Sequence, residues 1–239
     1  MSALFLSEWL KLRTTRTAVV LALGLFSITA IATVASLVGD QDYLPEFQHD
    51  LPSSAGFSVL FAILFGVLVM TGEFRHGTAT PTFLVSPLRE RVIAAKAIAS
   101  VAGGATLALA SLVLVYVVAL VWFALASADV HLFEGDAIRG ALPIVAASAI
   151  WGALGVGIGA IVRSQVGALV GTLVYFLIAE PLIGVLSDEV APYLPGAALG
   201  ALADGSQDLS RWGGAGVSIG WALALCLAGV FVTVRRDVA

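Results

Sequence analysis

The chain has 239 residues, of which 59% are hydrophobic and 12% are charged, and its mean hydropathy is +1.01. These values exclude an ordinary soluble domain and predict that lipid surrounds most of the chain. The single cysteine, Cys226, excludes an intramolecular disulfide and a thiolate metal cluster.

The first element is a short amphipathic stretch before the first apolar run. Within Ser2 to Arg13, the apolar side chains fall on one helical side and the polar ones on the other, as in a helix lying in the membrane interface. We therefore predict an interfacial helix over residues 1–16, with Trp9, Lys11 and Arg13 at the bilayer surface. Alternatively, these residues lengthen the first span.

Six apolar runs are long enough to cross the hydrocarbon core, which takes roughly twenty helical residues. The first run has no cleavage site after a short core, so we read it as a retained span rather than a signal peptide. The sequence predicts an all-α polytopic membrane protein with one transmembrane domain over residues 1–239. Its predicted spans are Ala18–Val38, Ala55–Gly72, Ala97–Ala128, Ala141–Val162, Val166–Leu186 and Gly214–Val234.

The charges are divided between the two ends of these runs. Ten of the 12 Lys and Arg residues lie on one side, and 11 of the 16 Asp and Glu residues lie on the other. Because cationic loops resist translocation, the basic side is predicted to be cytoplasmic and to hold both termini. Arg139 and Arg211 are the two basic exceptions.

Glycines spaced four residues apart predict close helix contacts in the later spans. The pairs are Gly155 with Gly159, Gly167 with Gly171, and Gly216 with Gly220. The link Arg163-Ser164-Gln165 is so short that the fourth and fifth spans are predicted to be an antiparallel hairpin.

Residues 73–96, between the second and third spans, form the most informative polar segment. Ser86-Pro87 is a helix N-cap followed by a first-turn proline, which predicts a helix running through Lys96 into the third span. Phe74 and Phe83 are apolar residues among charges and threonines, as a docking surface requires. Alternatively, the apolar residues near Phe83 tuck under the helix bundle.

The fifth span ends irregularly at Glu180-Pro181. Proline removes a backbone donor, so we expect the helix to break at Pro181. Residues 182–213 are then expected to form short extracytoplasmic or re-entrant helices. A carboxylate inside a span is costly, so Glu180 is predicted to line a translocation pathway or gate. It could instead cap the broken helix or pair with Arg211 or a neighbouring subunit as a structural lock.

Several short motifs together resemble the permease subunits of bacterial type-2 ATP-binding-cassette (ABC) exporters. The resemblance covers nearly the whole chain. It rests on Ser7-Glu8-Trp9-Leu10-Lys11-Leu12-Arg13, on Arg163-Ser164-Gln165-Val166-Gly167-Ala168, on Glu180-Pro181 with Leu194-Pro195, and, in the 73–96 segment, on Glu73, Arg75, Gly77, Thr78, Ser86, Pro87, Arg89 and Lys96.

The resemblance implies that residues 73–96 carry a coupling helix that docks on a separate ATPase subunit. The expected coupling residues are Glu73, Phe74, Arg75, Gly77, Thr78, Phe83, Pro87 and Arg89. The sequence has no G-x-x-x-x-G-K-[ST] motif, so this chain is not expected to be an enzyme, and ATP and Mg²⁺ are expected on the partner.

The resemblance further implies two ATPase subunits and a second permease copy or paralogue, in a bacterial plasma membrane. The apolar composition favours a lipophilic or amphipathic solute such as a drug, antibiotic, peptide or lipid, and we expect no nucleic-acid partner. The remaining alternatives are a secondary transporter and a membrane anchor or immunity component for an ATPase. An intramembrane protease is disfavoured, because none of the three histidines lies in a predicted span.

Overall fold

The computed structural model describes residues 16–39, 43–75, 77, 89–133, 135–204 and 208–235. The predicted interfacial helix over residues 1–16, including Trp9, Lys11 and Arg13, therefore lies outside the described residues except for Arg16. The α-helices of the described part are α1 (Arg16–Gly39), α2 (Pro45–Asp50), α3 (Phe57–Arg75), α4 (Arg89–Ala126), α5 (Gly135–Val162), α6 (Gln165–Val174), α7 (Glu180–Leu186), α8 (Pro195–Asp204) and α9 (Arg211–Arg235).

Six helical segments are long and apolar enough to cross a membrane, which confirms the predicted all-α polytopic fold. We number them spans 1 to 6: Thr17–Gly39, Pro45–Arg75, Glu90–Ala126, Gly140–Val162, Gln165–Leu186 and Arg211–Arg235. Helices satisfy every backbone polar group internally, as the hydrocarbon core of a bilayer requires.

The side chains at the two ends of the bundle meet in separate groups. Residues 73–75, 96, 163–165 and 232–235 lie together, and we call this the basic end. Residues 43–56, which include the start of span 2, meet the link over residues 127–133 at the opposite end, which we call the acidic end.

Span 2 begins ten residues earlier than predicted, at Pro45 rather than Ala55. Helix α2 is joined to α3 by a 3₁₀ turn over Leu51–Gly56. This extension is held by Gln48, which is fully buried and donates to the carbonyls of Tyr43 and Asp129, each at 2.9 Å. Its Oε1 accepts from the His131 N–H at 2.8 Å, so one amide side chain joins two acidic-end links.

Spans 2 and 4 form the centre of the bundle. They are 56% and 61% buried, whereas spans 1, 5 and 6 are 17%, 11% and 22% buried. Glycine allows this central contact: a Cβ at Gly155 would overlap the Ile63 carbonyl oxygen. The predicted close contact at Gly155 and Gly159 is therefore confirmed, because a Cβ at Gly159 would lie 2.9 Å from that of Met70. By contrast, apart from the backbone of its own helix, no atom of the described chain lies within 4 Å of a Cβ built at Gly171, Gly216 or Gly220.

Replacing Gly155 with alanine is expected to lower the free energy of unfolding by about 1–3 kcal/mol, because the methyl group would force spans 2 and 4 apart. Gly171→Ala is the matched control, since a Cβ there meets nothing in the described chain within 4 Å. The thermal unfolding midpoints of both variants in detergent would test this. Equal midpoints would contradict the proposed packing.

Span 5 corrects one prediction: the helix does not break at Pro181. It widens in the preceding turn, where Tyr175–Ala179 form a π-helix and the Glu180 N–H donates to the Tyr175 carbonyl. The missing proline N–H is thus accommodated by one wide turn, and α7 continues to Leu186. Beyond it, residues 187–210 include the short 3₁₀ turn Ala191–Tyr193 and the helix α8.

Candidate functional site

The basic end is organised around a buried ion pair between spans 2 and 3. Lys96 Nζ lies 2.9 Å from Glu73 Oε1, and the two side chains are 1% and 7% exposed. Lys96 Nζ also donates to the Val69 carbonyl at 3.4 Å. Glu73 lies two residues before the end of α3, and Lys96 lies in the second turn of α4. The pair therefore connects the first and last residues of the segment over residues 73–96.

Burial makes the two charges dependent on each other. Transferring a carboxylate or an ammonium ion out of water costs several kcal/mol, and mutual attraction offsets this only while both partners are in place. The apolar cluster beside the pair comprises Met70, Ile93, Val156 and Ala160, with Phe74 packed against it.

Two arginines extend this connection to the other spans. Arg75 Nη1 donates to Gln165 Oε1 at 3.1 Å, which joins span 2 to the start of span 5. Arg163 lies in the turn between spans 4 and 5 with a φ of 58°, and its guanidinium carbon lies 5.4 Å from the centre of the Phe74 ring. Arg163 Nη2 also lies 3.5 Å from the Val232 carbonyl oxygen of span 6.

The structure describes five of the predicted coupling residues, and their exposure differs. Glu73 is buried, Phe74 is half-buried, and Arg75 and Gly77 are exposed. Gly77 has a φ of +66°, and its N–H donates to the Phe74 carbonyl at 3.4 Å. Arg89 is the first residue of α4. Three further coupling residues lie outside the described residues: Thr78, Phe83 and Pro87.

The second group of polar contacts surrounds Glu180 in span 5. Its Oε1 accepts hydrogen bonds from the backbone N–H groups of Gly196, at 2.6 Å, and Ala197, at 2.9 Å. These N–H groups belong to the first turn of α8, where a helix has no internal acceptors for them. The Glu180 carboxylate thus caps α8, and in the described part of the chain it forms no ion pair with Arg211.

Glu180 also lines a cavity of about 510 Å³ between spans 2, 4 and 5 and the α8 segment. Glu180 is 7% exposed, and its Oε2 atom is buried with no hydrogen-bond donor among the described residues. The remaining lining residues are apolar side chains and glycines, with Trp151 and Phe176 as the aromatic members.

Sequence reasoning missed three features of these sites. The sequence predicts that Lys96 lies on a helix leading into span 3, but it does not indicate that Lys96 is the buried partner of Glu73. Trp151 was not singled out, and Gly196 was not linked to Glu180. An available signal was that Glu73 and Lys96 each lie beside a predicted span, at opposite ends of one link.

The fold and these sites define an all-α, multi-pass membrane protein with a fastened link at one end and a carboxylate-lined cavity beside α8. No protein-family model and no curated protein matches the chain. In the described residues, no three His, Cys, Asp or Glu side chains come together as metal ligands would. Function is therefore inferred from the residues themselves.

Proposed function

We propose that the chain is the membrane-spanning permease subunit of an ATP-driven ABC exporter in a bacterial plasma membrane. In this proposal, two separate ATPase subunits bind ATP and Mg²⁺, and a second permease copy or paralogue completes the complex. The cargo is a lipophilic or amphipathic solute. The basic end faces the cytoplasm, where residues 73–96 contact the ATPase.

The observation that carries this proposal is the ion pair between Glu73 and Lys96. A segment that receives force from a partner must have ends that move as one body with the helices on either side. Separating the two ends would pull the buried Lys96 ammonium group away from the buried Glu73 carboxylate, which costs more than most single contacts provide. A push on this segment would therefore move spans 2 and 3 together.

The side contacts of the basic end support the same role. Through Arg75 and Gln165, and through Arg163 with Phe74 and the Val232 carbonyl, displacement of the segment would reach spans 4, 5 and 6. A bundle joined in this way can switch between two arrangements when a partner binds one of them more tightly. Because Glu73 is buried, we assign it to anchoring the segment, and we assign docking to Phe83 and the exposed Arg75.

Co-purification would test the partner. The chain would be expressed with an ATPase encoded by an adjacent reading frame, and ATP turnover would be measured with Phe83→Asp in the permease. We expect loss of the bound ATPase in this variant, because a charge replaces the apolar docking side chain. Phe133→Asp is the matched control, since Phe133 is 61% exposed in an acidic-end link. Equal retention of the ATPase by both variants would contradict the docking role.

Orientation can be tested separately, because Cys226 is the only cysteine. In a Cys226→Ser background, Phe83→Cys should react with a membrane-impermeant maleimide only after cells are permeabilised. Phe133→Cys should react in intact cells. The reverse pattern would place residues 73–96 outside the cell and would refute the proposed coupling.

A further inference from the structure

The cavity beside Glu180 has the dimensions of a small-molecule site. Its volume of about 510 Å³ falls within the roughly 300–1,000 Å³ typical of ligand pockets. Span 2 contributes Leu60, span 4 contributes Trp151, and span 5 contributes Phe176, Leu177 and Gly184. Helices from three different parts of the chain therefore line one largely open apolar space.

The cavity is acidic, because Glu180 is the one ionisable side chain that lines it among the described residues. Oε1 is occupied by the two N–H groups of α8, whereas Oε2 has no donor in the described part of the chain. A helix N-terminus carries a partial charge of roughly +0.5, so it balances about half of a carboxylate charge. The remaining negative potential acts on the apolar space that the carboxylate lines.

Two aromatic residues line the same space. The ring centres of Trp151 and Phe176 are 4.4 Å apart and their planes are inclined by 40°, and both residues line the cavity. The face of an aromatic ring attracts cations through its quadrupole, and tryptophan does so most strongly. Rings beside a carboxylate therefore favour a cation over an anion or a neutral molecule.

We propose that this cavity binds an amphipathic organic cation, with its apolar body against the aliphatic wall and its charge near Glu180, Trp151 and Phe176. Because Oε2 is buried, recognition relies on charge and on the aromatic faces rather than on a direct hydrogen bond. That the bound cation is the exported cargo rests on the proposed function, but the binding itself does not. If Glu180 served only to cap α8, the cavity would not distinguish ligands by charge.

The test uses two ions of nearly equal shape and opposite charge, tetraphenylphosphonium and tetraphenylborate. Binding of each to the purified full chain in lipid nanodiscs would be measured by equilibrium dialysis. We expect saturable binding of the phosphonium ion and at least about tenfold weaker binding of the borate ion. Glu180→Gln should weaken phosphonium binding by about tenfold or more, because glutamine can still accept the N–H bonds of α8 but carries no charge.

Two further variants make the result decisive. Glu189→Gln is the control, because this exposed acidic residue does not line the cavity. Gly184→Leu should also abolish binding while leaving Glu180 charged, since a Cβ there meets only Ala191, at 4.0 Å, and the side chain would fill the cavity. If Glu180→Gln fails to fold, Gly184→Leu provides the test of the cavity in its place. Equal binding of the two ions, or unchanged binding in the cavity variants, would overturn the inference.

The two proposals fail independently. Loss of the ATPase partner without loss of phosphonium binding would refute the exporter assignment and leave the cation site intact. Normal ATPase association without charge-selective binding would refute the cation site and leave the exporter assignment intact.

Discussion

Replacing Lys96 with methionine is expected to lower the free energy of unfolding by about 3–5 kcal/mol. The substitution keeps a long side chain but removes the ammonium group that lies 2.9 Å from Glu73. The Glu73 carboxylate would then lose the countercharge of Lys96 while remaining buried at the end of span 2. The thermal and denaturant unfolding of the purified protein in detergent would measure the loss.

A second substitution distinguishes charge from packing. When Lys96→Met is combined with Glu73→Leu, neither charge of the pair remains, and replacing a buried pair by apolar residues is often neutral or stabilising. The double variant should therefore recover most of the lost stability. Arg91→Met is the control, because Arg91 is an exposed cation on the same helix. If the double variant is as unstable as Lys96→Met alone, the ion pair does not hold the two spans together.

The sequence predicts the helical spans well because membrane physics acts locally. An apolar run of about twenty residues has few alternatives to a spanning helix, and each observed span overlaps its predicted run. The start of span 2 was missed because α2 is not a plain apolar run. Gln48 is buried there only because it bonds to Asp129 and His131, more than eighty positions away.

The sites were predicted as residues but not as contacts. Glu180 was selected because a carboxylate in a span is costly, and the structure shows how α8 reduces that cost. Nothing in the local sequence indicates that the N-terminus of a helix beginning at Pro195 turns back onto Glu180. Similarly, Pro181 indicates an irregular helix, because proline has no backbone N–H to donate. A helix break and a π-helical turn are both compatible with this missing donor, and tertiary packing selects between them.

Replacing Gly196 with alanine is expected to release the cap of α8 and to lower the free energy of unfolding by about 1.5–3 kcal/mol. An added Cβ would lie 2.7 Å from Glu180 Oε1 and 3.1 Å from Oε2, so the carboxylate would have to move away. Movement would break the two hydrogen bonds to Gly196 and Ala197 and leave their N–H groups without this acceptor.

Gly200→Ala provides the matched control within the same helix. Apart from the backbone of α8 itself, no atom of the described residues lies within 4 Å of a Cβ built there, so alanine should slightly stabilise α8 through its higher helix propensity, by roughly 0.5–1 kcal/mol. Opposite shifts of the unfolding midpoint in the two variants would therefore locate the effect at Glu180 rather than in helix propensity. If Gly196→Ala were as stable as Gly200→Ala, the carboxylate could not be the group that holds α8 against span 5. Glu180→Gln, which retains an acceptor oxygen, should lose less stability than Gly196→Ala, because this cap depends on the position of the oxygen more than on its charge.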